Sequence, residues 1–159
     1  MASLRQHFES LAFSGVATFI ASGNVSFETA ARSARALEAK IEQKLRKALG
    51  YEVGVYLRTP AELVTIANHK PFGAAEPDAA AKLYVAFVRE PLDARATRAV
   101  EALPTGMDRF RVRGREIYWL RSRKPEALPY STLALEKALG VPFTVRGIDT
   151  VRRMARNLK

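Results

Sequence analysis

The chain contains no cysteine, and only two of its 159 residues are histidine. The lack of cysteine excludes disulfide frameworks, thiolate zinc sites, iron–sulfur ligation and cysteine nucleophiles. His7 and His69 each lack a second histidine or a carboxylate cluster at metal-ligand spacing, so no metal site is expected. There is no P-loop, dinucleotide fingerprint, nucleophile elbow or acid/base carboxylate pair, so we predict no catalytic residue and no cofactor.

Long apolar runs are also missing. No run approaches the roughly 20 residues that a bilayer-spanning helix needs. The N-terminal stretch from Met1 to Phe8 lacks the apolar segment of a signal peptide. We therefore expect a cytoplasmic protein with no membrane partner.

Positive charge is in excess, with 26 Lys and Arg against 16 Asp and Glu and a net charge of +10. A field of that sign attracts phosphates and acidic surfaces. The simplest interpretation is a solvated basic surface. Nucleic acid, an acidic protein or a small anionic ligand remain alternatives for a specific partner.

Apolar spacing and turn residues divide the chain into short helices and strands. In the first half they predict a helix over 3–13, strands over 16–21 and 25–27, a helix over 30–49 closed by Gly50, a strand over 51–57 and a short helix over 60–68. In the second half they predict a strand over 83–88, a helix over 93–103, a hairpin over 109–113 and 116–120, a helix over 132–139, a strand over 142–145 and a last helix capped by Asp149.

The order of elements in the second half is β-α-β-β-α-β, which is the ferredoxin-like order. The first half has the same order without its opening strand. We therefore predict an α+β fold of two tandem ferredoxin-like subdomains, the first incomplete. The predicted boundaries are 1–70 for the first subdomain, 71–81 for a linker, 82–146 for the second subdomain and 147–159 for a C-terminal helix.

The missing strand would lie in the middle of the first sheet, where its absence leaves backbone groups unpaired. Three explanations are open. The true start codon could lie upstream of Met1, which we favour; a partner chain or second copy could donate a strand; or the first half could be partly unfolded.

Several runs together resemble the bacterial family catalogued as domain of unknown function 1697. The matching runs are Leu4-Arg5 to Phe8, Thr18 to Phe27 with its Ser-Gly-Asn turn, Pro71-Phe72, Lys82 to Val85, Tyr118, Thr144 to Arg146 and Asp149 to Val151. The chain departs from the family in lacking its opening strand and glycine-rich turn, and in having Gly147-Ile148 where Asn-Trp is usual. The resemblance implies a fold and no activity.

The predicted second hairpin carries the densest set of arginines. They are Arg109, Arg111, Arg113, Arg115, Arg121 and Arg123. Ferredoxin-like sheets bind single-stranded RNA by stacking bases on aromatic residues. However, the glycine and aromatic pattern of such sheets is absent, and Trp119 shares its strand face with Ile117, which favours a place in the core.

A second candidate site centres on the Ser22-Gly23-Asn24 turn. Glycine and asparagine tolerate positive φ, so turn chemistry is the simpler interpretation. The alternative is an anion site built from turn amides and side chains. Its candidate residues are Arg5, Ser22, Gly23, Asn24, Arg146 and Thr150.

These patterns favour a non-catalytic module that binds an anionic partner such as nucleic acid. The alternative is an enzyme or ligand-binding protein with a small anion in the cleft between the two halves.

Overall fold

Two sheets of different size organise the chain. The computed structural model describes residues 2–19, 23–72, 82–103, 108–121 and 133–158. Residue contacts divide the chain into a first unit, Met1–Leu57, and a second unit, Arg58–Lys159. The fold is mixed α+β, with a two-stranded and a four-stranded sheet. Within the described ranges, no helix has the length and apolar character needed to cross a membrane.

The first unit packs two helices against an antiparallel hairpin. Its elements in chain order are α1 (Ala2–Glu9), β1 (Ser14–Phe19), β2 (Asn24–Glu28) and α2 (Ala34–Leu49). The Phe13 ring stacks on that of Phe27 with ring centroids 4.3 Å apart, and Phe8 lies beside both. Ile41 and Leu45 of α2 close this core from the helical side.

The ends of α2 follow from its sequence. The Ser33 hydroxyl accepts a hydrogen bond from the Ala36 N–H, which caps the first turn. Gly50 ends the helix at φ 81°, in the left-handed region that glycine adopts without steric cost, as the sequence predicts. The helix begins later than predicted, because the cap is Ser33.

The strand predicted over 51–57 does not form a ladder, which corrects that expectation. The alternating side chains of Val53, Val55 and Leu57 do pack against the core of the first unit. However, the N–H groups of Val55 and Leu57 donate to carboxylates of α2 rather than to a neighbouring strand. The backbone is therefore satisfied by side chains in place of a sheet partner.

The second unit contains the larger sheet. Its elements are α3 (Pro60–Asn68), β3 (Lys82–Phe87), α4 (Ala94–Glu101), β4 (Asp108–Arg113), β5 (Glu116–Arg121), α5 (Leu133–Leu139), β6 (Thr144–Gly147) and α6 (Ile148–Asn157). The strands lie in the order β4-β5-β3-β6, and every neighbouring pair is antiparallel. The edges of the sheet are therefore β4 and β6.

Both faces of this sheet are partly covered. On one face the Trp119 side chain, 1% exposed, packs with Phe110, Ile117 and residues of α4 and α5, which confirms its predicted place in the core. On the other face Val85 and Tyr118 are also buried. Helices α3 and α6 pack against each other, and α6 contacts β3 and β6.

Two helix starts in the second unit show how well local sequence predicts a cap. The spacing of Thr59 and Glu62 around Pro60 predicts a capping box, and the structure forms it, with Pro60 opening α3. The prediction that Asp149 caps the last helix is wrong: Gly147 is the N-cap, and Asp149 lies in the first turn, where its charge suits the positive end of the helix.

The division between the units falls at residue 57, earlier than the predicted subdomain end at residue 70. The physical reason is that Arg58 and Glu62 form ion pairs with residues 116 and 115 of the large sheet. The segment that carries α3 therefore belongs with the second unit.

Candidate functional site

Three arginines on β4 form the main cationic feature of the second unit. Arg109, Arg111 and Arg113 occupy alternate positions of this edge strand and are exposed; we call them the arginine row. Alternate strand residues lie on the same face about 6.8 Å apart, so the three charges form a line. Among the described residues, no carboxylate lies within ion-pair distance of the row.

An aromatic ring orders two members of the row. The guanidinium of Arg109 lies 5.1 Å from the centroid of the Phe72 ring, and that of Arg111 lies 5.5 Å from it. Cation–π contact uses the flat face of a guanidinium. The N–H groups around its edge can still bind an anion, and their orientation is partly fixed before the anion arrives.

A histidine holds the third member. The Nη1 of Arg113 lies 2.6 Å from the Nδ1 of His69. A guanidinium has only donors, so Nδ1 must accept, and the imidazole that makes this bond is neutral with its proton on Nε2. Burial, together with the nearby positive charge of Arg113, lowers the pKa of His69 from its ordinary value of 6.5.

The aromatic residue beside the row is covered. Tyr118 lies opposite Arg111 in the β4–β5 ladder and is 1% exposed. The His69 ring packs against it with centroids 4.9 Å apart. Burial raises the pKa of Tyr118 to about 12, helped by the charge of Glu116, so the phenol stays neutral at physiological pH. Tyr118 therefore cannot serve as a platform for a stacked base.

Side chains close the outer edge of β4. The Val112 N–H donates to Glu101 Oε2 at 2.8 Å. The Phe110 carbonyl accepts from Arg111 Nη1 at 3.0 Å. Because these edge groups are already bonded, an incoming peptide cannot extend the sheet there without displacing them. The surface is therefore suited to recognition by charge rather than by strand addition.

The remaining arginines of the predicted set have other roles. Arg115 bonds to Glu62 at 2.5 Å, and Arg121 lies 3.9 Å from Asp108. Burial alone would raise the pKa of Glu62, but hydrogen bonds from the Thr59 N–H and Arg115 lower it from 4.5. Arg123 lies outside the described residues. Of the six, the structure groups only the row as exposed cations without a carboxylate partner among the described residues.

Sequence reasoning missed Arg58, which connects the start of the α3 segment to the β4–β5 turn. Its Nε bonds to Glu116 Oε2 at 2.8 Å, and its Nη2 bonds to the carbonyls of Val88 and Arg115. The guanidinium also lies 5.1 Å from the Phe87 ring centroid. Burial lowers the pKa of Arg58, an effect that the bond to Glu116 opposes. The one sequence signal was its position directly before the capping box of α3.

The candidates for a small-anion site divide between the units. In the first unit, Arg5 lies 3.6 Å from Glu9, Gly23 has φ 81°, and the buried Asn24 donates from Nδ2 to the Phe19 carbonyl at 3.2 Å. These contacts fit the turn interpretation. Ser22 lies outside the described residues.

The other two candidates for that site lie in the second unit. Arg146 Nη1 donates to Thr144 Oγ1 at 2.7 Å and to the Val145 carbonyl at 2.9 Å. Burial lowers the pKa of Arg146. Thr150 lies in the first turn of α6. Within the described ranges, no group of three or more His, Asp or Glu residues is placed to hold a metal ion.

The fold occurs in a solved structure, that of the conserved bacterial protein SP0830 from Streptococcus pneumoniae. The match has a TM-score of 0.73 at 22% sequence identity and covers 100% of this chain and 88% of the other. No curated protein sequence matches the chain. The family model described as "Protein of unknown function (DUF1697)" matches residues 1–118, and the chain belongs to that family.

Proposed function

We propose that this protein is a non-catalytic module that binds an anionic partner, nucleic acid in the first place, through the arginine row. The observation that carries the proposal is the line of three exposed guanidinium groups with no carboxylate neighbour in the described part of the chain. A partner whose charges repeat along a line can meet all three at once, which a single small anion cannot do.

The ordering of the row supports a binding role. A surface arginine loses side-chain entropy when it is fixed on a ligand. Phe72 restrains Arg109 and Arg111, and His69 restrains Arg113, so part of that entropy is already lost in the free protein. The net charge of +10 adds a long-range attraction to the same class of partner.

The geometry favours contacts to the phosphate backbone over recognition of bases. Tyr118 is buried beneath His69, and Trp119 is buried in the core on the opposite face. We therefore expect little sequence preference and an affinity typical of non-specific binding, with a dissociation constant of about 10⁻⁶ to 10⁻⁴ M.

The order of strands also supports a finer fold assignment. The β-α-β-β-α-β order and the β4-β5-β3-β6 sheet favour a ferredoxin-like arrangement in the second unit. We extend this to an incomplete copy of the same arrangement in the first unit. A cytoplasmic location is likewise proposed.

The test is fluorescence anisotropy with a labelled oligothymidylate. The triple variant is Arg109→Gln, Arg111→Gln, Arg113→Gln. Its plot of log affinity against log salt should be shallower, with the magnitude of the slope smaller by about 2, since each single-strand phosphate contact contributes about 0.7. The matched control replaces Arg152, Arg153 and Arg156, three exposed arginines of α6, with glutamine.

The two triple variants lose the same net charge, so only position distinguishes them. The control should keep the slope of the unmodified protein apart from a weak long-range effect. Equal weakening in the two variants would mean that general charge alone attracts the oligonucleotide, and the proposal would be rejected. Absence of binding by the unmodified protein at low salt would reject it as well.

A further inference from the structure

We propose that His69 makes the arginine row respond to pH: neutral, it accepts a hydrogen bond from Arg113; protonated, it releases that guanidinium and adds a fourth positive charge beside the row. The inference rests on the proposed function, because it concerns the regulation of the same surface. It predicts tighter binding of a polyanion in mildly acidic conditions.

The hydrogen bond carries the inference. Arg113 Nη1 lies 2.6 Å from His69 Nδ1 and already directs a proton towards it. The gap has no space for a second proton, on Nδ1. A proton added to Nδ1 would face a donor that cannot become an acceptor. The bond must then break, and two positive charges separate while staying on the same part of the surface.

The backbone fixes the histidine in position. His69 is the C-cap of α3, and its N–H donates to the carbonyls of Thr65 and Ile66. The ring rests on Tyr118, which leaves it partly exposed beside the row. The partial negative charge of the helix end works against the lowering of the His69 pKa by burial and by Arg113, without reversing it.

Among the charged groups around His69, the imidazole is the one whose charge we expect to change between neutral and mildly acidic pH. Arg113 of β4 faces it directly, Tyr118 of β5 stays neutral, and Glu116 of β5 is bonded to Arg58. On its own segment the nearest charged residues in sequence are Lys70 and Glu62, and Glu62 is paired with Arg115. The charged residues of α6, which packs against α3, are exposed, and none is bonded to His69 among the described contacts: Asp149, Arg152, Arg153 and Arg156.

Binding and protonation must be coupled in both directions. If a protonated His69 strengthens binding, a bound polyanion must raise the pKa of His69 by the matching amount. This gives a second measurement that does not depend on affinity. The protein has only one other histidine, His7 on α1 of the first unit, so two imidazole signals are expected.

The affinity experiment uses labelled oligothymidylate at about pH 8 and about pH 5, with salt varied from about 50 to 200 mM. The salt slope of the unmodified protein should become steeper by about 0.7 at the lower pH, which corresponds to one added phosphate contact. In His69→Gln the slope should stay the same at both values, because the amide oxygen can accept from Arg113 but does not titrate. Far-UV circular dichroism at both pH values confirms that each protein is folded.

The second experiment follows the imidazole signals by NMR. In the free protein the His69 signals should indicate the Nε2–H tautomer, and its titration midpoint should rise on addition of oligothymidylate while the His7 chemical shift stays unchanged. Three results would each overturn the inference. They are a salt slope that does not change with pH, a slope that changes equally in His69→Gln, and a His69 titration midpoint that stays the same when the oligonucleotide is added. Those results leave binding through the row intact, whereas loss of binding at every pH overturns the proposed function itself.

Discussion

The guanidinium of Arg58 meets the carboxylate of Glu116 inside the second unit, with Nε and Oε2 2.8 Å apart and side chains only 3% and 13% exposed. The same guanidinium donates from Nη2 to the carbonyls of Val88 and Arg115. One side chain therefore joins the start of the α3 segment to the loop after β3 and to the turn between β4 and β5. The arginine row lies on β4, the strand that leads into that turn.

Replacement of Arg58 by methionine should destabilise the protein strongly. The substitution keeps an unbranched side chain of similar length but leaves Glu116 charged, buried and without its partner, and it removes donors from two carbonyls. Loss of one partner of a buried ion pair typically costs about 3–5 kcal/mol. Urea unfolding followed by circular dichroism measures the change in the free energy of unfolding.

The control for that measurement is Arg5→Gln. Arg5 and Glu9 also form an ion pair, at 3.6 Å, but their side chains are 57% and 48% exposed. An exposed pair contributes about 0–1 kcal/mol, so this variant should unfold almost as the unmodified protein does. If Arg58→Met were as mild as Arg5→Gln, the buried pair would not be what holds the α3 segment.

Glu38 should be the most sensitive carboxylate of the first unit. It is 5% exposed and accepts from the Leu57 N–H at 2.9 Å, in the segment that has no strand partner. Glu38→Leu removes the charged oxygen that accepts from the partly buried Leu57 N–H, and a hydrogen bond to a charged group typically contributes about 1.5–3 kcal/mol. Glu38→Gln keeps an acceptor oxygen and should lose less. Urea unfolding compares both with Glu52→Gln, whose side chain is 85% exposed; equal losses in the three variants would contradict the assigned role.

The sequence was most informative where a local rule decides the structure. The Thr59–Glu62 capping box, the Gly50 helix end and the hairpin around Gly114 each depend on residues close together in the chain, and each forms as predicted. The period-two pattern of β4 also predicts which arginines share a face.

The sequence-based prediction was wrong where a side chain that is distant in sequence determines the local structure. The alternation of Val53, Val55 and Leu57 is that of a strand, but α2 carboxylates take the N–H groups that a neighbouring strand would need. Arg58 was missed for the same reason, since its partners Val88 and Glu116 are remote in sequence. No local pattern predicts that Phe72 and His69 lie against alternate arginines of β4.

Phe72 should strengthen the binding of oligothymidylate without adding a charge to the surface. Phe72→Leu keeps an apolar side chain but removes the ring face on which Arg109 and Arg111 lie. A cation–π contact at an exposed site is worth about 0.5–1 kcal/mol, so affinity for oligothymidylate should decrease about two- to fivefold. The salt slope should not change, because the number of charges is the same. A lower slope would mean that the ring positions an additional cation, and an unchanged affinity would mean that it does not order the row.

Tyr118 should make stability depend on alkaline pH. Its pKa in the folded protein is raised from 10.0 to about 12, chiefly by burial. A raised pKa means that the neutral phenol contributes stability that is fully present below pH 10 and is lost as pH rises towards about 12. Tyr118→Phe keeps the ring and removes the ionisation, so its free energy of unfolding should fall less over that range. Urea unfolding at several alkaline pH values measures this, with Tyr51→Phe, whose ring is 62% exposed, as the matched control. If Tyr118→Phe and Tyr51→Phe lost stability in parallel with the unmodified protein, the phenol of Tyr118 would not be the buried titrating group.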